Sequence, residues 1–209
     1  MGNKLTFELI IYIDMKKVGI NNMCDFHIFN QIIDSKDFTT GGGSASALAG
    51  AMAAGLVAMV ARLSINKTYG LSEDEYEEII KEADKIAKEL ELGAKLDAEA
   101  YKLIKGAYIL PKDTESDRKR RRQAIEKAGI GAATVPMENA IKCKKIYKFC
   151  LMLKKKSNPN AVSDLMAAEG LSKAGIEGCI LNIEANLSLI KDENIIVRFK
   201  KEVVKLRQV

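Results

Sequence analysis

The 209-residue sequence contains no tryptophan, only three prolines and a single histidine, and aromatic residues make up 6% of it. Because proline is the residue that most strongly interrupts a helix, its scarcity permits long helices. One histidine, His27, and cysteines without a CxxC pair give no zinc-binding pattern of histidine and cysteine ligands. We therefore expect no metal site of that kind.

The cysteines are few and scattered. They lie at Cys24, Cys143, Cys150 and Cys179. In a chain of this size, which has room for a substantial core, such spacing is typical of reduced thiols in a cytoplasmic protein.

The charge is mildly basic, with 33 lysines and arginines against 28 acidic residues and a net charge of +5. This balance suits an anionic small-molecule substrate and falls short of the dense basic face that binds nucleic acid. The basic run at 118–122 is the local exception. We interpret it as a solvated helix start; the alternative, an RNA contact, predicts binding with a steep salt dependence.

Residues 41–61 carry no charge, but glycine, alanine and serine dominate them and Arg62 follows, so we predict no membrane span. The short apolar run at 9–13 lacks the basic start and cleavage site of a signal peptide. We predict an N-terminal extension of unknown role at 1–22 and one domain at 23–209.

Apolar residues recur at helical spacing, and no convincing alternating segment occurs outside the extension. The prediction is an all-α fold, an antiparallel multi-helix bundle with long helices. The expected helices cover about 24–36, 44–64, 72–109, 114–155 with a bend or break at Pro136, 162–190, and 192–207.

Three consecutive glycines, Gly41, Gly42 and Gly43, precede Ser44 at the start of a helix. Free N–H groups and the helix dipole at such a point favour an anion. The segment lacks the GxxxxGK[ST] pattern of a nucleotide P-loop. The alternative is a tight turn that has no ligand.

Asp97 lies on the apolar stripe of a long helix, between Ala94 and Tyr101. Burial raises the pKa of a carboxyl group towards neutrality, where the group can both give and take protons. The alternative is a structural carboxylate that pairs with a lysine or arginine of a neighbouring helix.

Two further groups of polar residues are candidates for binding. Asn158, Asn160, Ser163 and Asp164 cluster at a turn that enters a helix, where most such groups are helix caps. Asn182 and Asn186 lie one turn apart on the next helix. Their amides suit a planar heterocycle with an amide edge, although a single asparagine in a helix is more often on the surface.

Together these motifs resemble the cyclodeaminase domain of formiminotransferase-cyclodeaminase and the stand-alone bacterial methenyltetrahydrofolate cyclohydrolases. The similarity covers about residues 23–207. It depends on the order and spacing of short strings, each weak alone: GGGSASALAGAM, LDAEAY, LPK, VP, NPNAVSD, and Asn182 with NL at 186–187.

The resemblance implies a homodimer with a folate site lined by the glycine loop and the asparagine-rich segments. It implies that Asp97 is the catalytic acid and base, with Lys112 as an auxiliary proton donor or a contact to the substrate's carboxylate. No metal or redox cofactor is required. Thr39, Lys95 and Glu184 depart from the family pattern, and the last two reverse local charge.

Two reactions share one intermediate. We expect hydrolysis of 5,10-methenyltetrahydrofolate to 10-formyltetrahydrofolate, because stand-alone relatives are often cyclohydrolases and the sequence includes no formiminotransferase domain. The first alternative is the cyclodeaminase, which releases ammonia from 5-formiminotetrahydrofolate. The second is a non-catalytic helical dimer that binds a folate.

Overall fold

The computed structural model describes residues 27–208, and within that range every regular element is helical. This confirms the all-α prediction. The predicted extension at 1–22 and Cys24 lie outside the described residues. The helices are α1 (His27–Ile33), α2 (Gly42–Arg62), α3 (Glu73–Tyr108), α4 (Glu115–Leu153), α5 (Val162–Leu187) and α6 (Glu193–Arg207), with a 3-10 turn at Pro159–Ala161 before α5.

Helices α2 to α5 form an antiparallel four-helix bundle. The direction of α2 against α3 follows from contacts at both ends: Ser44 meets Asp97, and Arg62 pairs with Asp84. Corresponding contacts join α3 to α4, α4 to α5, and α5 to α2. The first helix rests on α2, and α6 packs against α4 and α5.

The predicted helix boundaries are largely confirmed by cap geometry. Ser72 accepts a hydrogen bond from the N–H of Glu75, whose carboxylate accepts one from the N–H of Ser72. Asp192 caps α6 through its side chain, which accepts from the N–H groups that follow it. The third helix ends at Tyr108, before Pro111.

Two local predictions are wrong. The second helix begins at Gly42 rather than at Ser44, and its N-cap, Gly41, has no side chain with which to cap it. Of the bend or break predicted at Pro136, the break does not occur, because the fourth helix continues through this residue. Pro136 is almost fully buried, because α4 packs against three other helices of the bundle. These contacts keep α4 helical at the proline.

Glycines let α2 and α5 approach closely. A Cβ on Gly178 would lie 2.0 Å from Oγ of Ser46, so any other residue there would displace the Ser46 hydroxyl. One and two turns earlier on α5 no such approach occurs, because Gly170 meets nothing within 4 Å and Ala174 is exposed.

Among residues 27–208, one helix, α2, is long and apolar enough to cross a membrane. Its most apolar window is 56% buried inside the bundle. Both flanks of α2 are covered by α3 and α5, which is the situation of a core helix.

The apolar stripe of α3 is buried from Tyr76 to Leu90 and on to Ile104. Tyr101 and Tyr108, which the periodicity places on the same stripe, are exposed by 40% and 47%. The reason is geometric: α2 covers α3 only as far as Asp97, where α2 begins. Beyond that level Tyr101 lines an open cleft, and Tyr108 lies on the surface beneath Arg121.

Candidate active site

Asp97 lies where the N-terminus of α2 meets the middle of α3. Its exposed fraction is 8%, so the prediction that it is buried on the α3 stripe is confirmed. The hydroxyl of Ser44, itself fully buried, lies 3.0 Å from Oδ2 of Asp97. No lysine or arginine pairs with Asp97 among the described salt bridges, which disfavours the structural ion pair.

The carboxyl group of Asp97 lies beside the first turn of α2, which has no side-chain cap. Because Gly41 offers no side chain, the first N–H groups of the helix need another acceptor. The backbone N–H of Ser44 is one of them, and it interacts with Asp97. The group that faces the Ser44 end of the glycine segment is therefore this protein's own carboxyl group.

Burial raises the pKa of Asp97 above its ordinary value. The side-chain and backbone donors of Ser44 act in the opposite direction, because they stabilise the ionised form. Desolvation is the larger effect. The site therefore holds a carboxyl group whose neutral and ionised forms are closer in free energy than they are in water.

The Ser44 hydroxyl has two acceptors within reach. It lies 2.9 Å from the carbonyl oxygen of Ala94 as well as 3.0 Å from Asp97. When Asp97 is ionised, the hydroxyl donates to it. When Asp97 is protonated, the hydroxyl can turn to Ala94 and accept from the carboxyl group. Both protonation states are thus satisfied without any movement of the backbone.

Gly43 leaves room for two side chains from other helices. A Cβ on Gly43 would lie 2.4 Å from Oδ1 of Asp97 and 2.6 Å from Nδ2 of Asn182. Because glycine has no Cβ, a carboxylate from α3 and an amide from α5 come together at this point. This convergence could not be deduced from either helix alone.

These groups open onto a cleft of about 260 Å³, near the lower limit of small-molecule sites. The cleft is enclosed by the loop before α2 and by the facing sides of α3, α4 and α5. Its lining residues are Phe38, Thr39, Gly41, Asp97, Tyr101, Ile104, Ala132, Asn182, Ala185 and Asn186.

Several predicted site residues come together here. Gly41, Asn182 and Asn186 line the cleft with Asp97. Gly42 is exposed next to Gly41.

Gly43 and Ser44 are buried, where they contact Asp97. Their position indicates that they support the carboxylate rather than contact a ligand themselves.

Lys112 does not lie with them. It is exposed in the loop between α3 and α4 and does not line the cleft. About 16 Å of helix separates Asp97 from Tyr108, four residues before Lys112. The proton-donor role predicted for Lys112 therefore has no support from its position in this chain.

The Asn158 cluster also lies elsewhere, at the other end of α2. Asn158 donates its backbone N–H to Ser64 and its side-chain amide to the carbonyl of Leu63. About 30 Å of α2 separates this point from the glycine loop. Ser163 and Asp164, in the first turn of α5, lie at the same distant end.

Sequence reasoning missed several lining residues, of which Tyr101 had the clearest signal. It follows Asp97 by four positions and therefore lies on the same face of α3. Thr39, held by hydrogen bonds to Asp37, and Ala132 had no such signal.

The basic run at the start of α4 is largely engaged within the chain. Arg118 and Arg122 pair with Glu115, and Arg121 donates to the carbonyl of Tyr108. Among residues 27–208 no cluster of histidine, cysteine, aspartate or glutamate has the geometry to hold a metal ion.

Comparison with known proteins accords with this site. The family model described as formiminotransferase-cyclodeaminase matches residues 26–205. A methenyltetrahydrofolate cyclohydrolase from Methylorubrum extorquens is 32% identical over 155 residues, which are 74% of each chain. The formimidoyltransferase-cyclodeaminase of chicken is 29% identical over 83% of this chain, which spans only 32% of that longer enzyme.

A solved structure has the same fold. The formiminotetrahydrofolate cyclodeaminase of Thermotoga maritima superposes with a TM-score of 0.73, at 28% identity and with 86% of each chain covered.

Proposed function

The chain belongs to the formiminotransferase-cyclodeaminase family, and we propose that its cleft hydrolyses 5,10-methenyltetrahydrofolate to 10-formyltetrahydrofolate. Membership makes it a folate one-carbon enzyme with cyclohydrolase or cyclodeaminase activity. The choice between the two reactions and the role of each residue are the proposal.

The observation that carries the proposal is the environment of Asp97. A carboxyl group with a raised pKa lines the cleft, and Ser44 can satisfy it in both protonation states. Proton exchange in both directions is what the folate reactions require. The cleft suits the ring end of a tetrahydrofolate, with the rest of the ligand outside it.

In the hydrolysis, Asp97 acts first as a base. The substrate carries a carbon that bridges N5 and N10 as a delocalised cation, and the Asp97 carboxylate stabilises it. Water attacks that carbon, and Asp97 takes a proton from the water. The tetrahedral adduct then breaks its bond to N5, to which Asp97 returns the proton, while the hydroxyl proton of the adduct leaves to solvent. The product is the N10-formyl compound.

The cyclodeaminase reaction uses the same group in the opposite order. Neutral Asp97 protonates the formimino nitrogen, N10 attacks the formimino carbon, and the adduct expels ammonia to give the methenyl cation. Asp97 takes the proton that N10 loses and gives it to the departing nitrogen, which leaves as ammonia. Hydrolysis therefore begins from ionised Asp97, and deamination begins from neutral Asp97.

Hydrolysis is favoured because the cyclohydrolase from M. extorquens is more similar in sequence than the chicken and T. maritima cyclodeaminases. Two parallel assays decide the question. One follows the loss of methenyl absorbance, and the other follows ammonia release from 5-formiminotetrahydrofolate. Faster ammonia release, with a rate that falls as Asp97 ionises, would reverse the assignment.

For substrate binding, we assign the Asn182 amide and the exposed N–H groups of Gly41 and Gly42 to polar atoms of the ligand. Asn186 acts through Asn182, to which it is hydrogen bonded.

The mechanism requires neither a metal nor a redox cofactor. We place the enzyme in the cytoplasm, where reduced folates and thiols coexist; Cys143, Cys150 and Cys179 are free and buried.

We also propose a homodimer formed through the outward face of α2. This face is apolar and uncharged from Leu48 to Met59 and, apart from Arg62, up to Leu63. Its sequence is nearly symmetrical: Leu48 mirrors Leu63, and Met52 mirrors Met59. When two copies pack antiparallel, leucine therefore lies against leucine and methionine against methionine.

Gly55 and Leu56 stand at the centre of this symmetry. A Cβ on Gly55 would meet nothing within 4 Å, so the outward face has a gap at this point. In an antiparallel pair, Leu56 of the partner subunit would fill it. Small-against-large packing of this kind favours a second copy as the occupant.

The antiparallel pairing accounts for the distant polar cluster. It brings the C-terminal end of the partner's α2 beside the glycine loop of the first chain. That end carries the turn that contains Asn158, followed by Ser163 and Asp164. We propose that the predicted contribution of these residues to folate binding is made across the dimer.

Sedimentation equilibrium tests the dimer. The wild type is expected at twice the chain mass, and Met52→Lys at the mass of one chain, because two charges would face apolar partners. Val204→Lys is the matched control, since Val204 is 58% exposed on α6, away from this face. A monomeric wild type would exclude the dimer and the contribution of Asn158 with it.

A further inference from the structure

Pro136 lies in the middle of α4, where a proline is normally avoided. It is among the most deeply buried side chains of the described residues. A proline has no N–H, so the carbonyl four residues earlier, that of Ala132, loses its helical hydrogen-bond partner. The proline ring also pushes that carbonyl away from the helix axis.

The Ala132 carbonyl finds a partner on α5. The side-chain amide of Asn186 donates to it, with 3.0 Å between Nδ2 and the oxygen. The same NH₂ group lies 3.0 Å from the backbone oxygen of Asn182 and 2.9 Å from its side-chain oxygen. An NH₂ group has two hydrogens. One serves Ala132, and the two oxygens of Asn182 share the other.

This arrangement fixes the amide of Asn182. Its Oδ1 faces the donor on Asn186, so its Nδ2 faces the opposite way. There Nδ2 lies 2.6 Å from the point where a Cβ on Gly43 would be, and Oδ1 of Asp97 lies 2.4 Å from the same point. The amide thus directs a donor towards the carboxylate and the cleft. The reversed amide would direct an oxygen at the carboxylate, which is unfavourable when Asp97 is ionised.

We propose that Pro136 is a positioning residue of the active site: it frees the Ala132 carbonyl for Asn186, which holds Asn182 with its donor towards Asp97. The inference rests on the proposed function of the cleft. In this proposal Pro136 acts because it has no backbone amide hydrogen to donate to the Ala132 carbonyl.

The alternative, a purely structural role, makes a different prediction. A proline in a helix interior destabilises the helix relative to alanine. If Pro136 only filled space in the core, its replacement would change stability and activity together. If it orients Asn182, Pro136→Ala stabilises α4 and weakens the active site.

The test is Pro136→Ala in the full-length enzyme. We expect an unchanged or raised melting temperature, and a fall of roughly tenfold or more in kcat/KM for the methenyl substrate, because Asn182 is misplaced. In ¹H–¹⁵N spectra of the ligand-free protein, the side-chain NH₂ signals of Asn182 and Asn186 shift. Asn182→Ala and Asn186→Ala assign these signals.

Two further variants sharpen the result. Gly106→Ala is the matched control, because it favours helix α3 at an exposed position with nothing within 4 Å. It should raise the melting temperature and leave both kcat/KM and the amide signals unchanged. Pro136→Ala combined with Asn186→Ala should lose no more activity than Asn186→Ala alone, because both act through one contact.

The proposal is overturned if Pro136→Ala leaves the two amide signals unchanged, or if the two variants lose activity additively. If Pro136→Ala does not fold, Pro136→Val, which restores the same N–H and fills more of the space of the ring, is measured in its place, with the same shifts expected. The spectra need no substrate. A wild type that turns over neither folate would therefore refute the proposed function alone, while the amide signals still test the role of Pro136.

Discussion

At each end of α2 a fully buried serine meets a polar group from a distant part of the chain. At the C-terminal end, Ser64 donates to the carbonyl of Val60 and accepts the backbone N–H of Asn158, at 2.7 and 2.9 Å. At the N-terminal end, Ser44 lies between the carbonyl of Ala94 and the carboxyl group of Asp97.

The two ends differ in whether the serine hydroxyl has an alternative hydrogen-bond partner. The Ser64 hydroxyl donates one hydrogen bond and accepts another, and both of its partners are backbone groups. Around Ser44 the hydroxyl has a choice of two acceptors, and the carboxyl group beside it lines an open cleft. In the proposed mechanism, similar serines thus stabilise structure at one end and permit proton exchange at the other. The difference arises from Asp97 and from the glycines that admit it.

The largest expected effect is that of Asp97→Asn on turnover. The amide keeps the shape of the side chain but cannot exchange a proton, so we expect kcat to fall about 100-fold or more. The readout is the loss of methenyl absorbance under saturating substrate.

The control lies at the other end of the same helix pair. Asp84→Asn removes a half-exposed carboxylate that pairs with Arg62, and it should keep turnover within about twofold while costing at most about 1 kcal/mol of stability. If folded Asp97→Asn is as active as Asp84→Asn, Asp97 does not transfer the proton.

The next effect is that of Gly43→Ala. The new Cβ would fall 2.4 Å from Oδ1 of Asp97, so the carboxylate must shift within a packed site. A displacement of about 1 Å predicts a loss of up to roughly 100-fold in kcat. The overpacking predicts a loss of about 1–3 kcal/mol in the free energy of unfolding.

Steady-state kinetics and urea unfolding measure the two effects of Gly43→Ala. Gly42→Ala is not a suitable control, because Gly42 is proposed to bind substrate; Gly106→Ala is suitable, since its surroundings are empty. Normal kcat in Gly43→Ala would mean that the position of the carboxylate is not critical.

A smaller effect compares the two serines directly. Ser44→Ala removes a donor that lowers the pKa of Asp97, so the pKa of Asp97 should rise. The proposed hydrolysis needs ionised Asp97, so the acid limb of its pH–rate profile should move to higher pH. On that limb kcat should fall by up to roughly tenfold, the effect of losing one hydrogen bond to the carboxylate.

Ser64→Ala should cost about 1 kcal/mol of stability, because it removes the partner of the half-buried N–H of Asn158. Its pH–rate profile should coincide with that of the wild type. A shared shift of both profiles would mean that the serine at the cleft has no special relation to Asp97.

Much of the fold could be predicted because its signals are local. Ser72 and Asp192 mark helix starts through bonds to N–H groups two or three residues away, and the apolar period of α3 spans many turns. The prediction failed where a distant contact decided the outcome. Considered alone, Pro136 predicts a bend or break in the helix. The side-chain amide of Asn186, however, donates to the carbonyl whose helical hydrogen bond the proline removes.

The site was predictable in part for the same reason. The position of Asp97 on the buried stripe is a property of one helix, and periodicity revealed it. The convergence of Asp97 with Asn182 at Gly43 depends on the crossing of three helices, which no local pattern encodes. The separation of Asn158 from the cleft was predictable, because in an antiparallel bundle of consecutive helices the turn before α5 lies at the opposite end from the loop before α2.

The smallest expected effect, on the stability of Asp97→Asn as a function of pH, tests whether Asp97 serves mainly as a cap. Burial raises the pKa of Asp97 in the folded state, so folding favours the protonated form. The stability from that preference is fully present below the unfolded pKa of about 3.9 and is lost as pH rises through the raised pKa. The amide in the Asp97→Asn variant does not titrate, so urea unfolding should find the variant more stable than the wild type at pH 8, with the difference narrowing towards pH 4. A variant that is less stable at pH 8 would mean that the ionised carboxylate is a favourable cap for α2, and that this end of the helix, like the Ser64 end, is built for stability.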